Sequence, residues 1–89
     1  MLKIKFPLGR TVTTRCVIEL LTECEISMLL ARHSSGDWGD MCVDDIRSNN
    51  DALIHGERLF SSYKTPKGKV WIITEHDRSI TTVLLPNEY

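Results

Sequence analysis

No run of eighteen apolar residues occurs in this 89-residue chain, so no helix is expected to cross a membrane. The start, Met1-Leu2-Lys3-Ile4-Lys5-Phe6-Pro7, alternates apolar and charged residues instead of forming an apolar block, which is not the pattern of a secretory leader. Cysteine is scarce and odd in number: Cys16, Cys24 and Cys42 form no Cys-x-x-Cys pair and no even disulfide set. They read as reduced, mostly buried thiols of a cytoplasmic protein, with a Cys16–Cys24 or redox pair as the lesser alternative. No glycine-rich run follows a strand and opens a helix, so no nucleotide cofactor is expected. No Gly-x-Ser-x-Gly elbow is present, which removes the signature of one large hydrolase class. Charge of either sign is not in excess: the net charge of −1 gives no global attraction to nucleic acid.

The composition that remains is that of a globular chain, 42% hydrophobic and 26% charged, with room for one domain over residues 1–89. The charge is unevenly spread. Residues 1–18 carry four bases and no acid, residues 19–51 carry eight acids against Arg32 and Arg47, and residues 52–78 carry five bases against three acids. Such a layout suits a basic protein partner, or head-to-tail pairing with a second copy, and it also suits an ordinary solvated surface.

Hydrophobic periodicity divides the chain into two regimes. Leu2, Ile4 and Phe6 alternate with Lys3 and Lys5, predicting an exposed or edge strand that Pro7 and Gly9 end. Thr14 reads as a helix N-cap, and Val17, Leu20, Leu21 and Cys24 follow at helical spacing. Ile26, Leu29, Leu30 and His33 continue that spacing, with a break near Glu23–Glu25 that separates two short helices or bends one. Gly36 closes the second. Asp40 is the expected N-cap of a further helix, with Cys42, Ile46 and Leu53 on its inner stripe, Asp44 and Asp45 at its positive end, and Gly56 as its stop. The period then switches to two. Strands are expected at Leu59–Tyr63, Val70–Thr74 and Ile80–Leu85, joined by the Thr65-Pro66-Lys67-Gly68 turn and a polar link at Glu75–Arg78. The predicted class is α+β: an N-terminal strand, two to three helices, then a three-stranded antiparallel meander with helices packed on one face. The last strand is apolar on both faces, which fits a central strand or one that pairs across a homodimer.

The segments Ala31-Arg32-His33-Ser34-Ser35-Gly36-Asp37-Trp38-Gly39-Asp40 and Trp71 to Tyr89, with Thr74-Glu75, Asp77-Arg78-Ser79 and Leu84-Leu85-Pro86 among their residues, resemble a family of small bacterial proteins of plasmids and integrative elements. These go by the name "plasmid-related protein" or "type I restriction endonuclease subunit M". The resemblance covers residues 26–89 and, more loosely, the helix from Thr14. It implies a mobile-element setting and no mechanism. The methyltransferase name does not fit the chemistry, since the three prolines, Pro7, Pro66 and Pro86, form no Asn-Pro-Pro-aromatic turn.

The densest polar segment joins two predicted helices. In its structural reading Gly36 and Gly39 take positive φ, Asp37 accepts backbone N–H groups, Asp40 caps, and Trp38 covers the core edge. In its functional reading Arg32, His33, Asp37 and Trp38 wall a binding site that continues through Asp40, Asp44 and Asp45. No ligand spacing orders His33, Asp37, Asp40, Asp44, Asp45, His55 and His76 into a metal site. The expected function is therefore that of a non-catalytic protein-interaction module of a mobile genetic element, without cofactor or metal, with nucleic acid disfavoured as a partner. The alternative is a metal-independent ribonuclease, similar to the barnase–EndoU–colicin–RelE-like group. In that reading His33 serves as acid or base, Arg58 and Arg78 hold phosphate, with Arg32 as a further clamp, and Ser61, Tyr63, Thr81 and Thr82 line the sheet.

Overall fold

A computed structural model describes residues 3–89. Strand β1 (Arg10–Thr13) leads into helices α1 (Arg15–Leu20), α2 (Glu23–Ser34) and α3 (Val43–His55). Strands β2 (Leu59–Thr65), β3 (Gly68–Thr74) and β4 (Ile80–Leu84) follow, and a 3-10 turn at Pro86–Glu88 closes the chain. The sheet order is β1-β4-β3-β2. Strands β2, β3 and β4 form the antiparallel meander, while β1 lies parallel to β4 and makes the sheet mixed. The class is α+β with helices on one face.

The helices begin where their caps dictate. The Thr14 hydroxyl accepts the Val17 N–H at the start of α1. Thr22 and Glu25 form a reciprocal capping box at the start of α2. That box places the break at Leu21–Thr22. Helix α3 differs from expectation. Its N-cap is Cys42, which makes no side-chain cap bond. Asp40 lies two residues earlier in the loop, where its carboxylate faces Lys64 and Lys69. Asp44 and Asp45 in the first turn complement the helix dipole where the cap bond is missing, and Gly56 closes the other end in a left-handed C-cap at φ 69°.

The N-terminal strand lies later in the chain than predicted. Leu2 falls outside the described residues, and Lys3–Phe6 form no strand. Phe6 is buried against Trp38 and His33, and the Lys5 N–H donates to the Ser34 carbonyl at 2.7 Å. The free edge of β4 is taken instead by Arg10–Thr13, whose Thr-Val-Thr run favours extended backbone. Strand β4 consequently has a neighbour on each side, so no second copy can pair with it.

Alternation sorts the strand residues. Leu59, Ser61 and Tyr63 of β2, Val70, Ile72 and Thr74 of β3, and Thr81 and Val83 of β4 share the helix-covered face by register, and all are buried. Val17 and Leu21 of the first helical pair, with Leu29, seal that face over Tyr63, Val70, Ile72 and Val83. Each fully buried aliphatic side chain there contributes roughly 1.5–3 kcal/mol. A second cluster, Phe6, Trp38, Ala52 and Leu59, is closed by Ile46 and Leu53 of α3. The opposite face is also apolar. Phe60 and Trp71 meet edge-on at 4.8 Å, and Tyr89 packs on Trp71 at 5.8 Å beside the closing turn.

The outer edge of β2 is closed by non-strand groups. The Ser62 N–H donates to the Trp38 carbonyl, and the Ser62 carbonyl accepts the Asp40 N–H. The Asn49 carboxamide serves Phe60 in both directions: Nδ2 donates to its carbonyl at 2.6 Å, and Oδ1 accepts its N–H at 3.1 Å. Gly39 has to be glycine for this approach. Its φ is 80°, and a Cβ there would sit 2.2 Å from the Ser62 carbonyl oxygen. Asn49→Leu should lower the unfolding free energy by roughly 2–4 kcal/mol, because two half-buried backbone groups lose their partners and no water replaces both. Urea denaturation of the variant against wild type checks the value; a loss below about 0.5 kcal/mol would show the amide pair to be dispensable.

Candidate functional site

The polar centre of the molecule is His33. Its side chain is wholly buried on the inner side of α2, where it meets hydroxyls from two strands and, through one of them, a third strand. Nδ1 contacts the Ser61 hydroxyl of β2, and Nε2 lies 2.9 Å from Thr74 Oγ1 of β3. Thr74 Oγ1 is 2.7 Å from Thr81 Oγ1 of β4, and the Thr81 hydroxyl donates to the Leu8 carbonyl at 2.7 Å. A carbonyl can only accept, so the proton positions along the chain are determined. Thr81 gives its proton to Leu8, Thr74 gives its own to Thr81, and Thr74 therefore accepts from Nε2–H. With burial holding the ring neutral, Nδ1 is left as an acceptor for the Ser61 hydroxyl. His33 is a neutral imidazole with its proton on Nε2.

Aromatic rings close the remaining sides. Phe6 meets the imidazole edge-on at 5.2 Å, and Trp38 does so at 5.7 Å. Loss of water around the ring, followed by the positive charge of Arg78, lowers the His33 pKa to about 4. Every buried side-chain polar atom among the described residues has a partner. A general base must reach a substrate proton directly or through one water. His33 is enclosed on every side.

The polar loop after α2 wraps the same core from outside. Arg32 donates from Nε to Asp37 Oδ2 at 2.7 Å and lies 4.7 Å over the Tyr63 ring. The Arg32 hydrogen bond holds the Asp37 carboxyl below its ordinary range. Asp37 Oδ1 also accepts the Gly39 N–H, as its structural reading required. The Tyr63 hydroxyl donates to the Asp37 carbonyl at 2.6 Å, and burial raises its pKa. Trp38 is buried and donates from Nε1 to Asn50 Oδ1 at 3.0 Å. Gly36 and Gly39 have φ of 85° and 80°. Arg32, His33, Asp37 and Trp38 are thus brought together, with their polar groups engaged within the fold.

The other candidates divide by location. Arg78 caps structure: Nη1 donates to the carbonyls of Glu57 and Glu75 at 2.6 and 3.1 Å, and Nη2 to that of Ala52 at 3.2 Å. Its own φ of 60° is left-handed, so the turn at this position is held by those bonds. Arg58 lies on the opposite face, paired with Glu75 and donating to the Tyr89 hydroxyl at 3.0 Å. His33 and Tyr63 are buried on the helix side, Arg78 is half-buried at the Glu57 and Glu75 end of the sheet, and Arg58 faces Tyr89 and Glu75, so the four do not converge on one cleft. Alternation also divides Thr81, which faces the helices, from Thr82, which does not. The lysine hairpin serves acids of the chain itself: Lys64 and Lys69 face Asp40, and Lys67 faces Glu25. Asp44 and Asp45 are exposed on α3 and have no ion-pair partner among the described residues. Among those residues no three His, Cys, Asp or Glu side chains gather to hold a metal.

The cysteine expectation changes. Cys16, Cys24 and Cys42 are all exposed and free, because the helical stripes that seal the core use Val17, Leu21 and Leu29 instead. A hydrogen bond to the Glu88 carboxylate raises the Cys16 thiol pKa, which disfavours a reactive thiolate. No described helix is long and apolar enough to cross a membrane. The signal for the His33 network was present in the sequence: Ser61, Thr74 and Thr81 stand at inward-facing positions of three strands, where a hydroxyl needs a buried partner. Asn49 and Tyr89 gave no comparable signal.

No protein-family model, curated protein or solved structure matches the chain.

The depressed pKa of His33 has a definite sign for stability. Between about pH 6.5 and pH 4 the unfolded imidazole takes a proton that the native one refuses, so the native state is favoured above this window and loses that advantage on acidification. The loss across the window should be about 3 kcal/mol. Urea midpoints measured from pH 7.5 to pH 4 should fall accordingly, and His33→Phe, whatever its absolute stability, should show a flatter profile. A wild-type profile level to pH 4.5 would contradict the neutral buried imidazole.

Proposed function

We propose that this chain is a non-catalytic protein-interaction module, an accessory protein of a mobile genetic element that binds a basic protein surface through the outward side of α3. The observation that carries the reading is the contrast among its acids. Asp37, Asp40 and Glu25 each face a cation of the chain itself. Asp44, Asp45 and Asp51 are exposed on α3 and lack such a cation among the described residues. Val43 and Ile54, 68% and 77% exposed, stand at the two ends of the same helix and offer apolar contact beside the charge. A surface of carboxylates flanked by aliphatic side chains suits a partner with lysine or arginine around an apolar centre. The mobile-element setting is supported by the Arg32-His33 to Asp40 and Trp71 to Tyr89 resemblance.

The structural role of these acids is limited to the first turn of α3, where Asp44 and Asp45 complement the helix dipole by a few tenths to about 1 kcal/mol each. Removing their charge should therefore leave the fold intact. In a pull-down at physiological salt, a basic protein retained by the wild type should be lost with Asp44→Asn/Asp45→Asn/Asp51→Asn and retained with Asp40→Asn, with circular dichroism unchanged. Equal retention by the triple variant would remove the acidic side of α3 from the interaction.

A further inference from the structure

We propose that the free edge of β1 is a strand-addition site, at which an extended acidic segment of a partner protein pairs with Thr11 and Thr13 and places an aliphatic side chain against Ile18, Leu21 and Ile26. The two edges of the sheet are treated differently. The β2 edge is closed by the Trp38 carbonyl, the Asp40 N–H and the Asn49 carboxamide. The β1 edge has no proline, no lysine and no covering loop among the described residues; its only guards are its length of four residues and the charge of Arg10.

The ladder fixes which groups are free. Arg10 N–H donates to Ser79 and Thr14 N–H to Val83, so alternate residues of β1 are turned toward β4. The amides and carbonyls of Thr11 and Thr13 point the other way and have no partner among the described residues. They offer two donors and two acceptors in a row, enough for a short fifth strand.

Side-chain chemistry selects the occupant. Thr13 lies at the rim of a cleft of about 540 Å³ on the helix side of the sheet, lined by Ile18, Leu21 and Ile26 with Thr22, Glu23 and Ser27 beside them, so the residue opposite Thr13 is an aliphatic one and the acid belongs further along, at Arg10. Ile18 is 59% exposed in the absence of a partner, and Val12, on the opposite side of the strand, is 37% exposed. Arg10 is exposed and has no ion pair among the described residues. An antiparallel segment that sets an aliphatic residue opposite Thr13 meets Val12 with its next residue and Arg10 with its fourth. The matching pattern is aliphatic, aliphatic, any residue, then Asp or Glu. Strand β1 contains no acid, so pairing with a second copy gives Arg10 no carboxylate across the ladder, and charge favours the acidic segment over self-association. This edge is opposite the one that α3 flanks, and the inference stands independently of the acidic helix surface. Main-chain bonds would supply affinity and the cleft would supply specificity.

The test is an NMR titration of the full chain with an acetylated, amidated peptide containing Ile-Val-Thr-Glu. Amide shifts should centre on Thr11, Thr13 and Ile18, with hydrogen exchange slowed at Thr11 and Thr13. Replacing the peptide Glu by Lys, or its Ile by Gly, should weaken binding at least tenfold. Thr11→Pro removes an outward N–H and leaves the β4 ladder untouched, so it should abolish binding. Ile18→Glu changes an exposed side chain and should weaken binding at least tenfold even if the proline variant does not fold. Absence of shifts at 1 mM peptide, shifts centred on α3 or β2, or unchanged binding by Ile18→Glu would overturn the proposal. Concentration-dependent shifts at Thr11 and Thr13 without peptide would overturn it in favour of self-pairing.

Discussion

The hydrogen-bond relay from Ser61 through His33, Thr74 and Thr81 to the Leu8 carbonyl is the constraint on which the rest of the structure depends. It ties α2 to β2, β3 and β4 and ends on the segment that leads into β1. Each hydroxyl sits at a core position where an apolar side chain would ordinarily stand, so the relay is tolerable only when complete. One missing partner would leave a buried donor or acceptor unpaired in a region walled by Phe6 and Trp38. The relay thus converts a costly set of buried polar groups into a device that specifies how α2 sits over the sheet. The same enclosure that keeps His33 neutral also keeps it from reacting with anything outside.

The polar loop between α2 and α3 follows from that placement. With Trp38 drawn in to cover His33, the backbone of residues 38–40 runs alongside β2 and supplies the hydrogen bonds that an additional strand would supply. Asn49 continues the cover one residue pair further along the edge. Arg32 and Asp37 brace the loop from outside, over the ring of Tyr63. A segment dense in residues that commonly do chemistry is here a coupled set of packing, capping and edge protection. The surfaces proposed for partners lie elsewhere, on the outward side of α3 and along β1.

The charge layout shows how sequence distance misleads. Eight acids fall between residues 19 and 51. Folding brings the β2–β3 hairpin under part of that segment, so that Lys64, Lys67 and Lys69 meet Asp40 and Glu25. Exposed pairs of this kind contribute little to stability, about 0–1 kcal/mol each. Their consequence is for the proposed recognition, because they divide acids already engaged from those of α3 that make no ion pair among the described residues.

Local chemistry alone determined much of this protein. The change of hydrophobic period after Gly56 fixed three strands, Thr14 fixed the start of α1, and Gly36 and Gly56 fixed two helix ends, since each depends on neighbours within a few residues. Ser61, Tyr63, Thr81 and Thr82 are expected together on one sheet face, and the register separates Thr82 from the other three. The tertiary structure decided what depends on competition between distant segments. Arg10–Thr13 rather than Lys3–Phe6 took the edge of β4, because Phe6 was claimed by the aromatic cluster around His33. Asp40 was drawn from its expected cap to the lysine hairpin, and the cysteines lost the core to larger aliphatic residues. Residue type sets what a side chain can do; which partner it meets is set by long-range contacts that no short window of sequence contains.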